Sequence, residues 1–330
     1  MKVNFSNKIY TSKVLKRGLE FAADKGALFA AGTSLVLSTV ARPIAIYATP
    51  KTDKENKKLA CSKSIASSLV GFGVVLSATH PVSKGIEEIN KSPDKYLKPK
   101  TIKTLKEAGK PLNTSKGYQF ATQLFKLGIG TVAAIPKAVI TCALIPPIMG
   151  LIFSQKKQSN VKNEAPMQQA VAPKGLSFTS RNYTKLAKGM GRVIDSKPVQ
   201  NITSKYKDSN YPMHITALTD VAATGTFIVQ TKRNKKIEEE RKTVLNKNAA
   251  ISTGISLAAG YGLDKLLNKP TEKFIENFKK VNASSPKLDK YVEGIKIAKP
   301  ALILGGIYYC AIPVVSTFLA ERVGKKKLSD

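Results

Sequence analysis

The sequence predicts an all-α fold: a tandem duplication of one three-helix apolar unit, embedded in a membrane by about four to six spanning helices. Three observations predict it. Ordered landmarks recur at one spacing, six apolar stretches lack strand-like alternation, and lysine-rich polar stretches separate them.

The repeat is read from its landmarks. Gly71-Phe72-Gly73 returns as Gly260-Tyr261-Gly262, 189 residues later. At the same offset Pro81, Lys84, Ile86 and Glu87 return as Pro270, Lys273, Ile275 and Glu276. Ser92-Pro93 and Asp94-Lys95-Tyr96 return as Ser285-Pro286 and Asp289-Lys290-Tyr291, with two residues inserted. The ends agree too, since Cys142 with Pro146 resembles Cys310 with Pro313. Glycine, proline and a Ser-Pro…Asp-Lys-Tyr run in one order are hard to obtain from two unrelated lysine-rich helical stretches. The expected units are residues 1–154 and 174–330, joined by a polar linker at 155–173 that contains Pro166, Gln168 and Gln169.

The first unit begins with Ala27 to Ile46, an Ala/Ser/Thr/aliphatic run preceded by lysines. A cleaved leader is not expected there, because Arg42 interrupts the stretch and the second unit repeats it in mid-chain. The second element, Ile65 to Ala78, is short and glycine-rich. It is expected to pack inside its own unit, with Gly71 and Gly73 allowing close helix approach. The third, Leu127 to Phe153, contains Pro136, Pro146 and Pro147 and is expected to bend or break. The second unit repeats the pattern as Ile215 to Val229, Ala249 to Leu263 with Gly260 and Gly262, and Pro300 to Ala320. A spanning helix needs about 20 apolar residues, so the first, third and last stretches are the best candidates. If all six cross, an odd number per unit makes the two units inverted. The alternating loops then carry nearly equal numbers of Lys and Arg, which leaves orientation unspecified.

Net charge is +32 over 330 residues, with a mean hydropathy of -0.13. Such an excess favours anionic lipid headgroups or, less strongly, nucleic acid. No aromatic–basic stacking platform supports the nucleic-acid choice. Arg42, Lys137 and Asp220 sit inside apolar stretches, where charge is costly and marks function by default. Arg42 and Asp220 are expected at one depth and could pair; snorkelling of Arg42 to the interface is the alternative. Phe274, Ile275, Phe278 and Val281 form one face of a basic helix that either lies on lipid or packs on its neighbours.

Catalytic chemistry is not expected. His80 and His214 stand alone, the three cysteines are scattered, and no cofactor or metal motif is supported. Gly128-Ile-Gly130 with Ala133 fits a dinucleotide pattern only formally, because no strand precedes it. The expected protein is a membrane scaffold or simple solute pathway in a membrane of bacterial type. The alternative is a basic soluble or peripheral helical protein that binds nucleic acid or an anionic membrane surface.

Overall fold

The computed structural model describes residues 8–48, 54–153, 180–235, 237, 239–313 and 315, and no strand occurs among them. The expected linker at 155–173 lies outside the described residues. Helix α1 (Lys13–Asp24) starts at Ser12, whose hydroxyl accepts the Leu15 N–H at 3.4 Å. Helix α2 (Gly26–Val36) runs through a π-helical turn, Leu37–Ala41, into α3 (Arg42–Ala48). Helix α4 (Lys54–Lys91) follows, then the short α5 (Pro93–Tyr96) and α6 (Pro99–Leu105). Proline at the first helical position sets both short helices off, because its missing N–H costs nothing there. Gly109, at φ +73°, then turns the chain toward α7 (Lys116–Phe153) in a conformation that favours glycine.

The rest of the chain forms α8 (Ser180–Ile194), α9 (Lys197–Tyr206), α10 (Tyr211–Arg233) and α11 (Glu239–Val281). It continues as α12 (Leu288–Gly306) and a second π-helical turn, Ile307–Ala311. Pro81 and Pro270 lie inside α4 and α11, and neither helix is interrupted.

Contacts fix the direction of every long helix. Along α7 and α10, Phe120 stacks edge-on against Tyr211, Thr131 bonds Thr219, and Cys142 meets Thr231, so the two helices are parallel. A Cβ on Gly294 would meet Leu19, one on Gly26 would meet Ile297 and one on Gly305 would meet Leu37. Thus α12 runs parallel to α1 and α2. Helix α4 is antiparallel to α7, since Tyr118 bonds Asn90 and Gly71 faces Lys137. Likewise α11 is antiparallel to α10, through Tyr261–His214 and Thr253–Thr224. Both halves of the chain therefore start at the same end, called proximal below, and run up, down and up. The inverted arrangement is overturned. It rested on strict alternation of crossings along the chain, whereas the packing places the end of α8 and the start of α10 beside the start of α7.

The proximal end is an ordinary protein core. Ile86, Ile89, Tyr96, Leu97, Tyr118, Met190 and Ile194 form one buried cluster. Tyr10, Leu19, Phe278, Tyr291 and Ile295 form another, with Phe274 and Ile275 packed against it. Of the two readings for the basic helix around Phe278, packing is the one observed. Proximal ion pairs cross between the halves, with Lys287 2.7 Å from Glu20 and Lys116 2.7 Å from Asp208. These lysine hydrogen bonds hold both carboxyls below the usual carboxylate range.

The distal half has smaller buried clusters, around Val75 and Ile129 and around Ile303 and Ile307, and much exposed apolar surface. Val36, Val40, Ile44, Leu69, Leu76, Val132, Ile135, Leu218, Val221, Ile251 and Leu302 are all exposed. Ser38, Ser64, Ser68, Thr141, Thr231, Ser252, Thr253 and Ser256 are buried. Among the described residues three stretches are long and apolar enough to cross a membrane, Gly26–Ala48, Ser64–Lys91 and Lys116–Leu144. The first and third agree with the expectation. The middle one is longer and less enclosed than expected, because α4 continues through Pro81 to Lys91, and Leu69 and Leu76 face outward. The last expected span, Pro300 to Ala320, extends outside the described residues. The third is not broken at its prolines, because α7 is continuous through Pro136, Pro146 and Pro147.

Two glycines lock the halves together. A Cβ on Gly294 would lie 2.0 Å from the Leu19 carbonyl oxygen, and one on Gly191 would lie 2.2 Å from the Tyr96 carbonyl oxygen. Backbone cannot yield as a side chain can. We predict that Gly294→Ala and Gly191→Ala each destabilise by about 2 kcal/mol or more, as overpacking does. Gly189→Ala, with nothing within 4 Å of the new Cβ, is predicted to be neutral or to gain up to about 1 kcal/mol from helix propensity. Thermal unfolding followed by circular dichroism checks the contrast.

Candidate functional site

Polar residues recur along one side of α10 as Thr216, Thr219, Asp220, Thr224 and Thr231, spacings that bring them round to neighbouring faces of a helix. Neighbouring helices supply matching hydroxyls. Thr131 Oγ1 lies 2.9 Å from Thr219 Oγ1, Thr253 Oγ1 lies 2.6 Å from Thr224 Oγ1, and Cys142 Sγ lies 3.6 Å from Thr231 Oγ1. Together they form a hydroxyl seam through the distal half, joining α7, α10 and α11. Thr216 and Thr219 also donate to the carbonyls of Pro212 and Ile215, one turn back, so the helix itself satisfies them.

Two of the three charges singled out from sequence stand on this seam. Asp220 is half-buried on α10, and the charge acting on it is the ammonium of Lys137 on α7. The two form no direct ion pair. Lys137 instead lies along α4 at Gly71, where a Cβ would fall 2.9 Å from its Cε and 3.2 Å from its Nζ. Gly71 is therefore the gap that lets a lysine side chain run between two helices. Gly260 has the same property toward another neighbour, since a Cβ there would fall 2.4 Å from Leu304 Cδ2. Gly73 and Gly262, expected to serve helix packing with them, face open space: a Cβ on either would meet nothing within 4 Å. The close approach is left to Gly71 and Gly260.

The third charge is elsewhere. Arg42 follows the first π-helical turn and holds its guanidinium 5.5 Å from the Tyr308 ring and 5.9 Å from the Tyr309 ring, both in the second π-helical turn. Tyr309 Oη lies 3.4 Å from Ser68 Oγ, which brings α4 into the cluster. Cys61 is near enough for the guanidinium to act on its thiol. The Arg42 Nε is buried with no hydrogen-bond partner. Arg42 thus does not pair with Asp220: tyrosine faces take its charge through the ring quadrupole.

Sequence reasoning missed Tyr308, Tyr309, Ser68 and both π-helical turns. The tyrosine doublet in the middle of the last apolar stretch was a usable signal, since a phenol inside such a run needs a polar or cationic partner. The π turns left none, because a change of hydrogen-bond register has no composition of its own.

We predict opposite signs for the paired glycines. Gly260→Ala must displace the buried Leu304, costing about 1–3 kcal/mol as overpacking does, whereas Gly71→Ala meets only the flexible end of Lys137 and is predicted to cost about 1 kcal/mol or less. Gly73→Ala and Gly262→Ala are predicted to be neutral or stabilising by up to about 1 kcal/mol. Shifts in thermal midpoint measure all four. No known protein family, characterised protein or solved structure shows significant similarity to this chain.

Proposed function

We propose that the chain is an integral membrane protein of two homologous three-helix units, acting as a membrane scaffold or simple solute pathway and carrying no catalytic activity. One observation carries this reading: beside its small apolar clusters, the distal half leaves many large aliphatic side chains exposed and buries a run of hydroxyls. In water those exposed aliphatics forgo part of the main driving force of folding, whereas in lipid the outward face is solvated and interhelical hydroxyl pairs serve as contacts. Length agrees. Gly26–Ala48 contains 23 residues and only 11% of its apolar window is buried, and at about 1.5 Å per residue it exceeds a hydrocarbon core of about 30 Å.

Duplication is supported by equivalent behaviour at equivalent positions. Gly71 and Gly260 both sit at close approaches, Gly73 and Gly262 both have open space, and Pro81 and Pro270 both lie in uninterrupted helices. The parallel arrangement also supports an orientation. Residues 79–126, 180–214 and 264–299 all belong to the proximal end and together carry more Lys and Arg than the shorter distal connections. The positive-inside bias then puts the proximal end in the cytoplasm, against anionic headgroups.

A second reading has a specific observation in its favour. Net charge is +32, and the sequence between α7 and α8 alone includes Lys156, Lys157, Lys162 and Lys174. A basic bundle bound to an anionic membrane surface or to nucleic acid, without crossing, fits that charge.

Alkaline carbonate extraction separates the two readings. The spanning reading predicts retention in the membrane pellet, and release into the supernatant would overturn it. In a cysteine-free background, Lys95→Cys and Lys207→Cys are predicted to react with an impermeant maleimide from the same side of the membrane. Labelling from opposite sides would refute the parallel units.

A further inference from the structure

The Arg42 cluster holds a cation without an anion. Its guanidinium sits near the distal end of the apolar half, over two tyrosine faces, and forms no ion pair with a described carboxylate. Ring faces offset part of the cost of holding a charge there, but they supply no acceptor for the guanidinium N–H groups. Arg42 is only half-buried and Tyr308 is 36% exposed, so the cluster opens to the outside of the bundle. Tyr47 is exposed on the same helix as Arg42, and its carbonyl accepts from Lys57 Nζ at 3.2 Å, which brings a second cation to this end.

The two π-helical turns make this more than an arginine near a helix end. Such turns are rare, and they concentrate at functional sites. Here two of them, from opposite ends of the chain, pack against each other around one side chain. Ser68 pins Tyr309 from a third helix, so one side of the cluster is set before any ligand arrives.

We propose that Arg42, Tyr308 and Tyr309 form a binding site for a phosphate-class oxyanion. A planar guanidinium offers parallel N–H donors that match two phosphate oxygens, and a phenol hydroxyl can donate a further bond. The source is either the phosphodiester of an anionic phospholipid seated on the outer face of the bundle or a free phosphate from the distal aqueous side. The lipid source rests on the membrane reading above; the phosphate source does not.

The test uses the full-length protein purified in neutral detergent. Native mass spectrometry counts retained phosphatidylglycerol against phosphatidylcholine, and thermal unfolding is followed in sodium phosphate against sodium chloride at matched ionic strength. Wild type is expected to retain phosphatidylglycerol selectively, or to gain thermal midpoint in phosphate, and the arm that responds names the source. Arg42→Gln is expected to weaken that response at least tenfold, and Tyr308→Leu to weaken it while leaving the charge in place. Lys13→Gln, which removes a distant charge, is expected to change nothing. If Arg42→Gln fails to fold, Tyr308→Leu with Arg42→Lys carries the test, because the lysine keeps charge but loses the planar fork. Equal binding by wild type and variants, or loss with Lys13→Gln as large as with Arg42→Gln, would overturn the site. Release from membranes in carbonate with the phosphate response intact would sink the membrane reading and leave the oxyanion site standing.

Discussion

Two backbone-to-backbone approaches govern this structure, Gly294 against the Leu19 carbonyl and Gly191 against the Tyr96 carbonyl. Each brings a helix of the second half into direct contact with main chain of the first. Neither tolerates even one methyl group, so the relative position of the halves is set to within a fraction of an ångström at the proximal end. The parallel course of α1, α7, α10 and α12 follows from that clamp. So do the registers that place Thr219 beside Thr131 and Tyr308 beneath Arg42, some two to four turns farther along.

The bundle changes its chemistry along its length. Proximally, aromatic and aliphatic side chains are buried around Phe278, Tyr118 and Phe120, and lysines occupy the surface. Distally, the same helices leave many aliphatic side chains exposed and bury hydroxyls alongside Val75, Ile129 and Ile303. A single helix such as α7 takes part in both regimes, with Tyr118 and Phe120 enclosed near its start and Val132 and Ile135 exposed a few turns later. No rearrangement of the helices is needed for the switch. It follows from which residue types fall on the inward face at each depth, and it gives the proximal end the means to hold the assembly while the distal end depends on its surroundings.

The all-helical class and the placement of the apolar stretches were legible in the sequence, because helical periodicity is a local property; which glycine of each Gly-x-Gly pair faces a neighbour was not. Direction was not. Alternation along the chain suggested inversion, and only contacts between residues about 90 to 270 positions apart show that both halves begin at one end, a non-local property that no window of sequence carries. The three charges within apolar stretches were legible as positions, but their neighbours were not. Arg42 and Asp220 lie at similar depths in their own stretches, yet depth says nothing about azimuth around a bundle. Lys137 lies along α4 in the space that Gly71 leaves, near enough for its charge to act on Asp220, whereas Arg42 faces the tyrosines.

The π-helical turn at Leu37–Ala41 bears on that last point. A π turn accommodates one residue more than the α turn it replaces, and each residue of an α-helix advances the side chains by roughly 100°. The extra residue thus acts as a phase shift written into the chain. Up to Val36 the helix presents one azimuth to its neighbours, and from Arg42 onward it presents another. Without the added residue, the guanidinium would point about a quarter-turn or more away from Tyr308. The second π turn, at Ile307–Ala311, applies the same correction to the tyrosines. The meeting of arginine and aromatic rings is therefore a matter of matched phase in two helices, and a one-residue insertion or deletion in either would undo it while leaving composition, charge and hydropathy almost unchanged.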